Sequence, residues 1–193
     1  MILIGLTGSI GMGKSTTSAM FRAAGLPVYD ADAAVHRLYA GPAVEALRAD
    51  FREAIVAGKV DRAILSQMIM RDRTALRRLE SIIHPLVAQD RSEFLAGCRG
   101  RGFERCVLDV PLLFETGGDT SVDVIVVVSA AGDVQMQRVL ARPEMTREKF
   151  ETILGKQMPD NEKRRRAHFV VDTGGGIAFA ERQVAALLNA IGH

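Results

Sequence analysis

A glycine-rich segment near the first residue constrains this 193-residue chain more than any other feature. Residues 8–15 read Gly-Ser-Ile-Gly-Met-Gly-Lys-Ser and match the pattern G-x-x-x-x-G-K-[ST] without a gap. An apolar run at residues 2–6 precedes them, and Met20, Phe21 and Ala24 follow at helical spacing. A strand, a glycine loop and a helix in this order predict a loop that binds the phosphates of a nucleoside triphosphate.

The residue types of this loop explain how it would hold phosphate. Gly8, Gly11 and Gly13 let the backbone curl so that several N–H groups point at one anion. The helix that follows adds the positive end of its dipole. Lys14 is placed to reach the β- and γ-phosphate oxygens, and the Ser15 hydroxyl is placed to hold Mg²⁺. A glycine-rich turn that matches by chance is the alternative, and the flanking strand and helix argue against it.

Composition excludes several classes of protein. With 48% hydrophobic residues, the chain is expected to fold around a core, and its net charge of +2 gives no strong electrostatic case for binding nucleic acid. We interpret the basic run Lys-Arg-Arg-Arg at residues 163–166 as a solvent-exposed helix face. Cys98 and Cys106 lack the paired spacing of a zinc site and are expected to be reduced thiols.

The sequence shows no membrane or export signal. The first strand begins at residue 2, and no apolar stretch reaches the roughly 18 residues of a membrane span. We therefore expect a cytoplasmic protein that needs no membrane.

The order of predicted elements indicates an α/β fold with a five-stranded parallel sheet. Residues 41–97 show helical spacing and no convincing strand, which we interpret as an inserted helical substrate lobe. Residues 146–166 are charged and helical, a pattern typical of a lid. The predicted strands are residues 2–6, 27–29, 105–110, 122–129 and 169–172. The predicted divisions are a core at about 1–35, 103–142 and 167–193, a lobe at about 36–102, and a lid at about 143–166.

Acidic residues follow two of these strands. Asp30 and Asp32 end the second strand, at the edge of an α/β sheet where ligands bind. Asp32 has two interpretations that the sequence leaves open, a chemical role and the capping of a helix. Asp109 ends the third strand and is a candidate Mg²⁺ ligand, with the capping of a turn as its alternative.

A histidine and two arginines complete the set of candidates. His84 precedes Pro85, which predicts a break in the helix, so the histidine is either a groove residue or a surface residue. Arg138 and Arg142 are four residues apart, which predicts a shared helix face that could clamp a transferring phosphoryl group. Two solvated arginines are the alternative interpretation.

Taken together, these motifs resemble the dephospho-coenzyme A kinase family over essentially the whole chain. The specific parts are Gly5-Leu6-Thr7 with the glycine loop, Asp30-Ala31-Asp32, Leu79-Glu80 to His84-Pro85, Val110-Pro111-Leu112-Leu113-Phe114-Glu115 and Gln157-Met158. The resemblance implies a P-loop nucleotide-kinase-like, three-layer fold with a helical CoA lobe and a lid. It implies transfer of the γ-phosphate of ATP to the ribose 3′-hydroxyl of dephospho-CoA, the last step of coenzyme A synthesis, with Mg²⁺ as cofactor.

The resemblance also implies roles for individual residues. ATP phosphates would be bound by Gly8, Gly11, Met12, Gly13, Lys14, Ser15 and Thr16. Asp32 would orient or deprotonate the attacking hydroxyl, and Arg138 and Arg142 would stabilise the charge in transit. The dephospho-CoA side would be lined by Asp32, His84, Leu113 and Glu115. ATP and dephospho-CoA are the expected partners, with no nucleic acid, membrane or obligatory protein partner.

The sequence departs from the family pattern at four places. Ser9 stands where the family usually has glycine, Arg142-Pro143 where it tends to have Arg-Asp, Ala167-His168 where it has Ala-Asp, and Asp172-Thr173 where it has Asp-Asn. Because the last two pairs lie near the adenine site, no adenine contact is assigned.

Two other functions are kept as alternatives. One is another P-loop small-molecule kinase, such as a nucleoside monophosphate kinase. The other is a nucleotide-dependent regulator without an acceptor substrate. A GTPase switch is disfavoured because the chain lacks an Asn-Lys-x-Asp motif and an Asp-x-x-Gly after the third strand.

Overall fold

The computed structural model describes residues 1–72 and 74–192. The chain divides into two compact units. The first comprises Met1–Val28 and the chain from Arg101 onward, and the second comprises Tyr29–Gly100. The first boundary falls within the second predicted strand, and the second boundary precedes the third predicted strand. The assignment of a substrate lobe and a lid within this division stays a prediction.

Strands and helices alternate along the first unit, and short helices surround one long helix in the second. The strands are β1 Ile2–Thr7, β2 Val28–Asp30, β3 Ile55–Val56, β4 Lys59–Val60, β5 Arg105–Asp109, β6 Val124–Ser129 and β7 Phe169–Asp172. The helices are α1 Lys14–Ala23, α2 Ala31–Tyr39, α3 Pro42–Ala46, α4 Arg62–Arg71, α5 Ala75–Gly100, α6 Gly132–Leu140, α7 Arg147–Leu154, α8 Asp160–Arg166 and α9 Ile177–Ile191.

The five-stranded sheet has the strand order β2-β5-β1-β6-β7, and four of its strands, β1, β5, β6 and β7, belong to the first unit. β1 pairs in parallel with β5 and β6, and β6 pairs in parallel with β7. The N–H of Val107 donates to the Pro27 carbonyl at 2.9 Å, next to the start of β2. The five-stranded α/β sheet predicted from the sequence is therefore confirmed.

Alternate residues of β6 pack on opposite faces of this sheet, as a buried strand requires. Val126 and Val128 belong to a core cluster that also contains residues of α1 and α9. Ile125 and Val127 belong to a second cluster with Leu113 from the segment after β5. Helix and loop residues thus cover both faces, which gives the three-layer arrangement.

The second unit has its own core, and it corrects two predictions. A short antiparallel hairpin of β3 and β4 lies in the region for which we predicted no strand. α5 also continues through Pro85, where we predicted a break. A proline inside a helix costs about 3 kcal/mol or more. Leu79 and Ile83 before it and Leu86 after it pack in the same cluster, and this burial holds the helix together.

A membrane-spanning helix is not found among residues 1–72 and 74–192.

Candidate active site

The phosphate loop connects β1 to α1 at the carboxyl edge of the sheet. Gly13 precedes α1 with φ of 90°, and Gly11 has φ of 80°, both in the left-handed region that favours glycine. A side chain at Gly11 would also collide with Val139 of α6. The loop glycines are therefore required by backbone conformation and by close packing, as the motif predicts.

Two glutamine side chains hold the main chain of the loop at Ile10. The Ile10 N–H donates to Gln157 Oε1 at 3.0 Å, and Gln135 Nε2 donates to the Ile10 carbonyl at 2.7 Å. Gln135 lies on α6 and is buried, whereas Gln157 lies between α7 and α8. Neither residue was assigned a role from the sequence. Gln157 belongs to the Gln-Met pair that carried part of the resemblance, and Gln135 stands three residues before the candidate Arg138.

Thr173, just after β7, holds the next part of the loop. Its Oγ1 donates to the Met12 carbonyl at 2.8 Å, and its N–H donates to the Ser129 carbonyl at 2.9 Å. The Met12 sulfur accepts the N–H of Ala130 at 3.1 Å. The ends of β6 and β7 thus fix the loop from the side opposite β5.

Lys14 and Asp109 form an ion pair beside the loop. The pairing of β1 with β5 sets Leu6 against Asp109, so this carboxylate ends its strand next to the start of the loop. The Thr7 hydroxyl donates to the Pro111 carbonyl at 3.0 Å and ties the two strand ends together. Asp109 is buried, and its predicted position at the edge of the sheet agrees with the structure.

Arg138 and Arg142 do not share a helix face, which corrects the prediction. α6 ends at Leu140, and Arg142 lies beyond it in an exposed turn. The reason is Pro143, because the residue before a proline is disfavoured in helical geometry. The Arg138 guanidinium donates to Oγ1 and to the carbonyl of Thr173, both at 2.8 Å. Arg138 therefore supports the residue that holds the loop.

Glu115 is held by residues of its own unit. Met158 N–H donates to Glu115 Oε1 at 2.7 Å, and Lys163 Nζ lies 2.9 Å from the same oxygen. The ammonium makes no well-directed hydrogen bond within residues 1–72 and 74–192, so the contact is an ion pair set by distance. Burial alone would raise the pKa of Glu115, but the Met158 hydrogen bond and the Lys163 charge lower it overall.

The basic run at residues 163–166 is only partly solvent-exposed, and this corrects its interpretation as a solvated face. Lys163 is fully buried. Arg166 pairs with Asp119 at 2.6 Å, and its guanidinium lies 4.6 Å from the centre of the Phe114 ring. Arg164, Arg165 and Arg166 are exposed, so the prediction fails at Lys163 alone among these four residues. A buried ammonium requires a paired carboxylate, and the ion pair with Glu115 answers that requirement.

In the second unit, the structure separates the roles of the two strand-end aspartates. Asp30 is the N-cap of α2, and its Oδ1 accepts the N–H of Ala33 at 2.9 Å. Asp32 lies in the first turn of α2 and is exposed. Within the described part of the chain, its carboxylate has no hydrogen bond or ion pair. The capping interpretation therefore belongs to Asp30 and is wrong for Asp32.

The other acceptor-side candidates lie in different environments. His84 is exposed on the continuous α5, so it does not stand at a break in the helix. Leu113 is buried in the core of the first unit, where it packs with Phe114 and Ile125. The structure thus gives Leu113 a packing role, and a direct contact with substrate stays a prediction.

Ser15 and Asp109, at the phosphate loop, have the side-chain oxygens needed to bind a magnesium ion whose other ligands are phosphate and water. No group of three or more His, Cys, Asp or Glu side chains placed to hold a metal occurs in the described ranges. Mg²⁺ commonly takes one or two protein oxygens and completes its shell with water and substrate phosphates. The Ser15 hydroxyl and the Asp109 carboxylate are hard oxygen donors of this kind.

Comparison with known proteins decides the family. The family model described as dephospho-CoA kinase matches residues 2–178. The chain belongs to the dephospho-CoA kinase family. It is 56% identical over 189 residues to a dephospho-CoA kinase of Mesorhizobium japonicum, covering 98% of this chain and 96% of that protein. It is 50% identical over 192 residues to one of Agrobacterium fabrum, covering 100% and 99%.

Solved structures agree with the fold of this dephospho-CoA kinase family member. A Thermus thermophilus protein superposes with a TM-score of 0.86 at 36% identity, covering 98% of this chain and 97% of that one. A dephospho-CoA kinase from Campylobacter jejuni superposes with a TM-score of 0.74 at 22% identity, covering 98% and 96%. At that identity, the second likeness shows the fold alone.

Proposed function

We propose that this protein transfers the γ-phosphate of ATP to the ribose 3′-hydroxyl of dephospho-CoA, giving coenzyme A and ADP. The proposal rests on a phosphate loop whose Lys14 meets the strand-end carboxylate of Asp109, in a chain that belongs to the dephospho-CoA kinase family. The last step of coenzyme A synthesis is therefore its proposed place in metabolism, and the cytoplasm its proposed location.

The phosphate loop supplies the donor side of the reaction. Main-chain N–H groups from Gly11 to Thr16 and the Lys14 ammonium would bind the ATP phosphates, because the loop curls and α1 begins at Lys14. Ser15 and Asp109 would hold Mg²⁺. When bound, the ion neutralises charge on the β- and γ-phosphates. Lys14 and Asp109 neutralise each other until phosphate and metal take their places.

Asp32 is the proposed orienting group for the acceptor. The acceptor oxygen forms a bond to the γ-phosphorus while the bond from phosphorus to the β-bridging oxygen breaks, and ADP leaves. The hydroxyl proton passes to Asp32 or to water. Because the transition state of phosphoryl transfer is loose, positioning contributes more than proton removal. An exposed carboxylate that caps no helix is available for this role.

Arginines and helical segments complete the proposed machinery. Arg142, exposed beyond the end of α6, is the proposed contact of the transferring phosphoryl group. Arg138 contributes through Thr173. Exposed His84 is proposed to line the acceptor side. We assign residues of about 36–102 to the acceptor lobe and of about 143–166 to a lid, and propose no nucleic acid, membrane or obligatory protein partner.

The acceptor dependence of ATP consumption tests this function. Purified protein with Mg²⁺ and ATP is assayed for ADP formation with dephospho-CoA, with nucleoside monophosphates, or with no acceptor. Of these three conditions, the proposal expects rapid ADP formation only in the one that contains dephospho-CoA. Turnover that prefers a nucleoside monophosphate would favour another small-molecule kinase. Tight nucleotide binding without any acceptor-dependent turnover would favour a regulator.

A further inference from the structure

Two consecutive peptide groups of the phosphate loop are each held by a glutamine side chain. Gln157 Oε1 accepts the N–H of Ile10 at 3.0 Å, which fixes the peptide between Ser9 and Ile10. Gln135 Nε2 donates to the Ile10 carbonyl at 2.7 Å, which fixes the peptide between Ile10 and Gly11. Together, the two hydrogen bonds set the orientation of the peptide groups on either side of Ile10.

The second bond has a direct consequence for phosphate binding. In a planar trans peptide, the carbonyl and the N–H point in opposite directions. Because Gln135 holds the Ile10 carbonyl toward α6, the N–H of Gly11 must point away from that helix. Gly11 also packs tightly, since a Cβ there would lie 3.0 Å from the Gln135 carbonyl. The Gly11 N–H is one of the groups proposed to bind ATP phosphate.

The glutamines are themselves well anchored. Gln135 is 5% exposed and lies in the middle of α6. Gln157 precedes Met158, whose N–H is held at 2.7 Å by Glu115, which in turn pairs with buried Lys163. The N–H of Gln157 also donates to the Leu154 carbonyl at 3.0 Å, at the end of α7. Burial on α6 therefore holds the Gln135 side chain in place, and main-chain hydrogen bonds hold the segment that carries Gln157.

We infer that Gln135 and Gln157 are positioning residues that orient the Gly11 and Ile10 peptides of the loop for the phosphates of the donor nucleotide. This inference rests on the proposed function in taking a nucleotide as the ligand. An amide side chain suits both places because it is neutral, and because it can donate at one site and accept at the other. A carboxylate at either place would repel the incoming phosphates.

Substitution by a neutral side chain of similar length tests this inference. Gln135→Met and Gln157→Met keep the length of the side chain and remove the hydrogen bond. Gln137→Met is the matched control, since Gln137 lies exposed on the same helix and its side chain has no bonding partner within the described ranges. The probe is MgADP, and its affinity is measured by calorimetry with no acceptor present.

We expect both test variants to bind MgADP about 3- to 10-fold more weakly, the equivalent of one hydrogen bond, and the control to bind as the wild type does. In activity assays, kcat/KM for ATP falls by a similar factor while KM for dephospho-CoA is unchanged. In ¹⁵N spectra, Gln135→Met shifts the Gly11 amide signal and Gln157→Met shifts that of Ile10. Unchanged MgADP affinity in both variants would overturn the inference.

Two further measurements keep the test decisive. If Gln135→Met does not fold, Gln135→Leu replaces it, because leucine is neutral, as glutamine is, and cannot donate to the Ile10 carbonyl. The same weakening is then expected, and its absence would count against the inference. Wild-type protein that binds MgADP but leaves dephospho-CoA unphosphorylated would refute the proposed function while leaving the role of the two glutamines intact.

Discussion

The ammonium of Lys14 is paired with the carboxylate of Asp109, although 94 residues separate them along the chain. The parallel pairing of β1 with β5 sets this contact, because it aligns the end of one strand with the end of the other. A cation near the end of the loop and a carboxylate beside it are the groups that phosphate and Mg²⁺ require. Because Lys14 is expected to act on phosphate and Asp109 on Mg²⁺, substitutions of the two residues should have different kinetic effects.

Lys14→Ala should abolish turnover, with kcat/KM for ATP falling at least about 100-fold, a loss of roughly 3 kcal/mol of transition-state stabilisation. Asp109→Asn should instead raise the Mg²⁺ concentration needed for half-maximal rate. Steady-state kinetics over a magnesium titration separate the two. Near-normal rates for Lys14→Ala would contradict the assignment of the loop, and an unchanged magnesium curve would contradict the role of Asp109.

Asp30 and Asp32 offer a matched pair that separates capping from chemistry. Asp30→Ala removes the N-cap of α2 and should cost about 1 kcal/mol of unfolding free energy. Asp32→Asn should cost only about 0.3–0.5 kcal/mol of unfolding free energy, the contribution of an exposed carboxylate in the first turn of a helix. It should lower kcat with KM for ATP unchanged, because the orienting carboxylate is lost. Thermal denaturation and steady-state kinetics on both variants give the answer. A normal kcat for Asp32→Asn would contradict the orienting role of this carboxylate.

The buried pair of Lys163 and Glu115 should behave asymmetrically. Glu115→Ala leaves a fully buried ammonium unpaired, and we expect a loss of about 3–5 kcal/mol in unfolding free energy. Replacing both partners, as in Glu115→Leu with Lys163→Met, should recover most of that loss. Urea denaturation measures all three proteins. Equal destabilisation by the single and double variants would show that the loss does not come from the unpaired charge.

The same pair predicts how stability depends on pH. The pKa of Glu115 is lower in the folded protein than its ordinary value, so the unfolded chain binds the proton more readily. Its contribution is therefore present above the unfolded pKa of about 4.3 and is lost as the pH falls through the lower, folded value. The stability difference between wild type and Glu115→Gln should shrink between neutral pH and the acid range. A difference that grows toward low pH would contradict the sign of the shift.

The sequence predicted the fold and the phosphate loop because both depend on local patterns. Apolar runs gave the five parallel strands, and the spacing of glycine, lysine and serine in residues 8–15 predicted the loop. The predicted break at Pro85 was wrong. Burial of the apolar residues on either side of it stabilises the helix by more than the proline costs. At this position, tertiary packing outweighed the local tendency of proline to break a helix.

The candidate site shows the limit of such patterns more sharply. The charge of residues 163–166 predicts exposure to solvent, yet Lys163 is buried and forms an ion pair with a glutamate 48 residues earlier in the chain. Gln135 and Gln157 carry no charge and fit no spacing rule, so only the folded structure brings them to Ile10. Gln157-Met158 carried part of the family resemblance, but neither glutamine's contact with Ile10 follows from the local sequence.

The identity of the phosphorylated product tests the central proposal most directly. Wild-type protein is incubated with Mg²⁺, ATP and dephospho-CoA, and the product is examined by mass spectrometry and ³¹P spectroscopy. The account predicts one added phosphate, as a monoester on the ribose 3′-oxygen, with one ADP formed for each. ADP formation with dephospho-CoA recovered unchanged, or phosphate attached at another position, would contradict it.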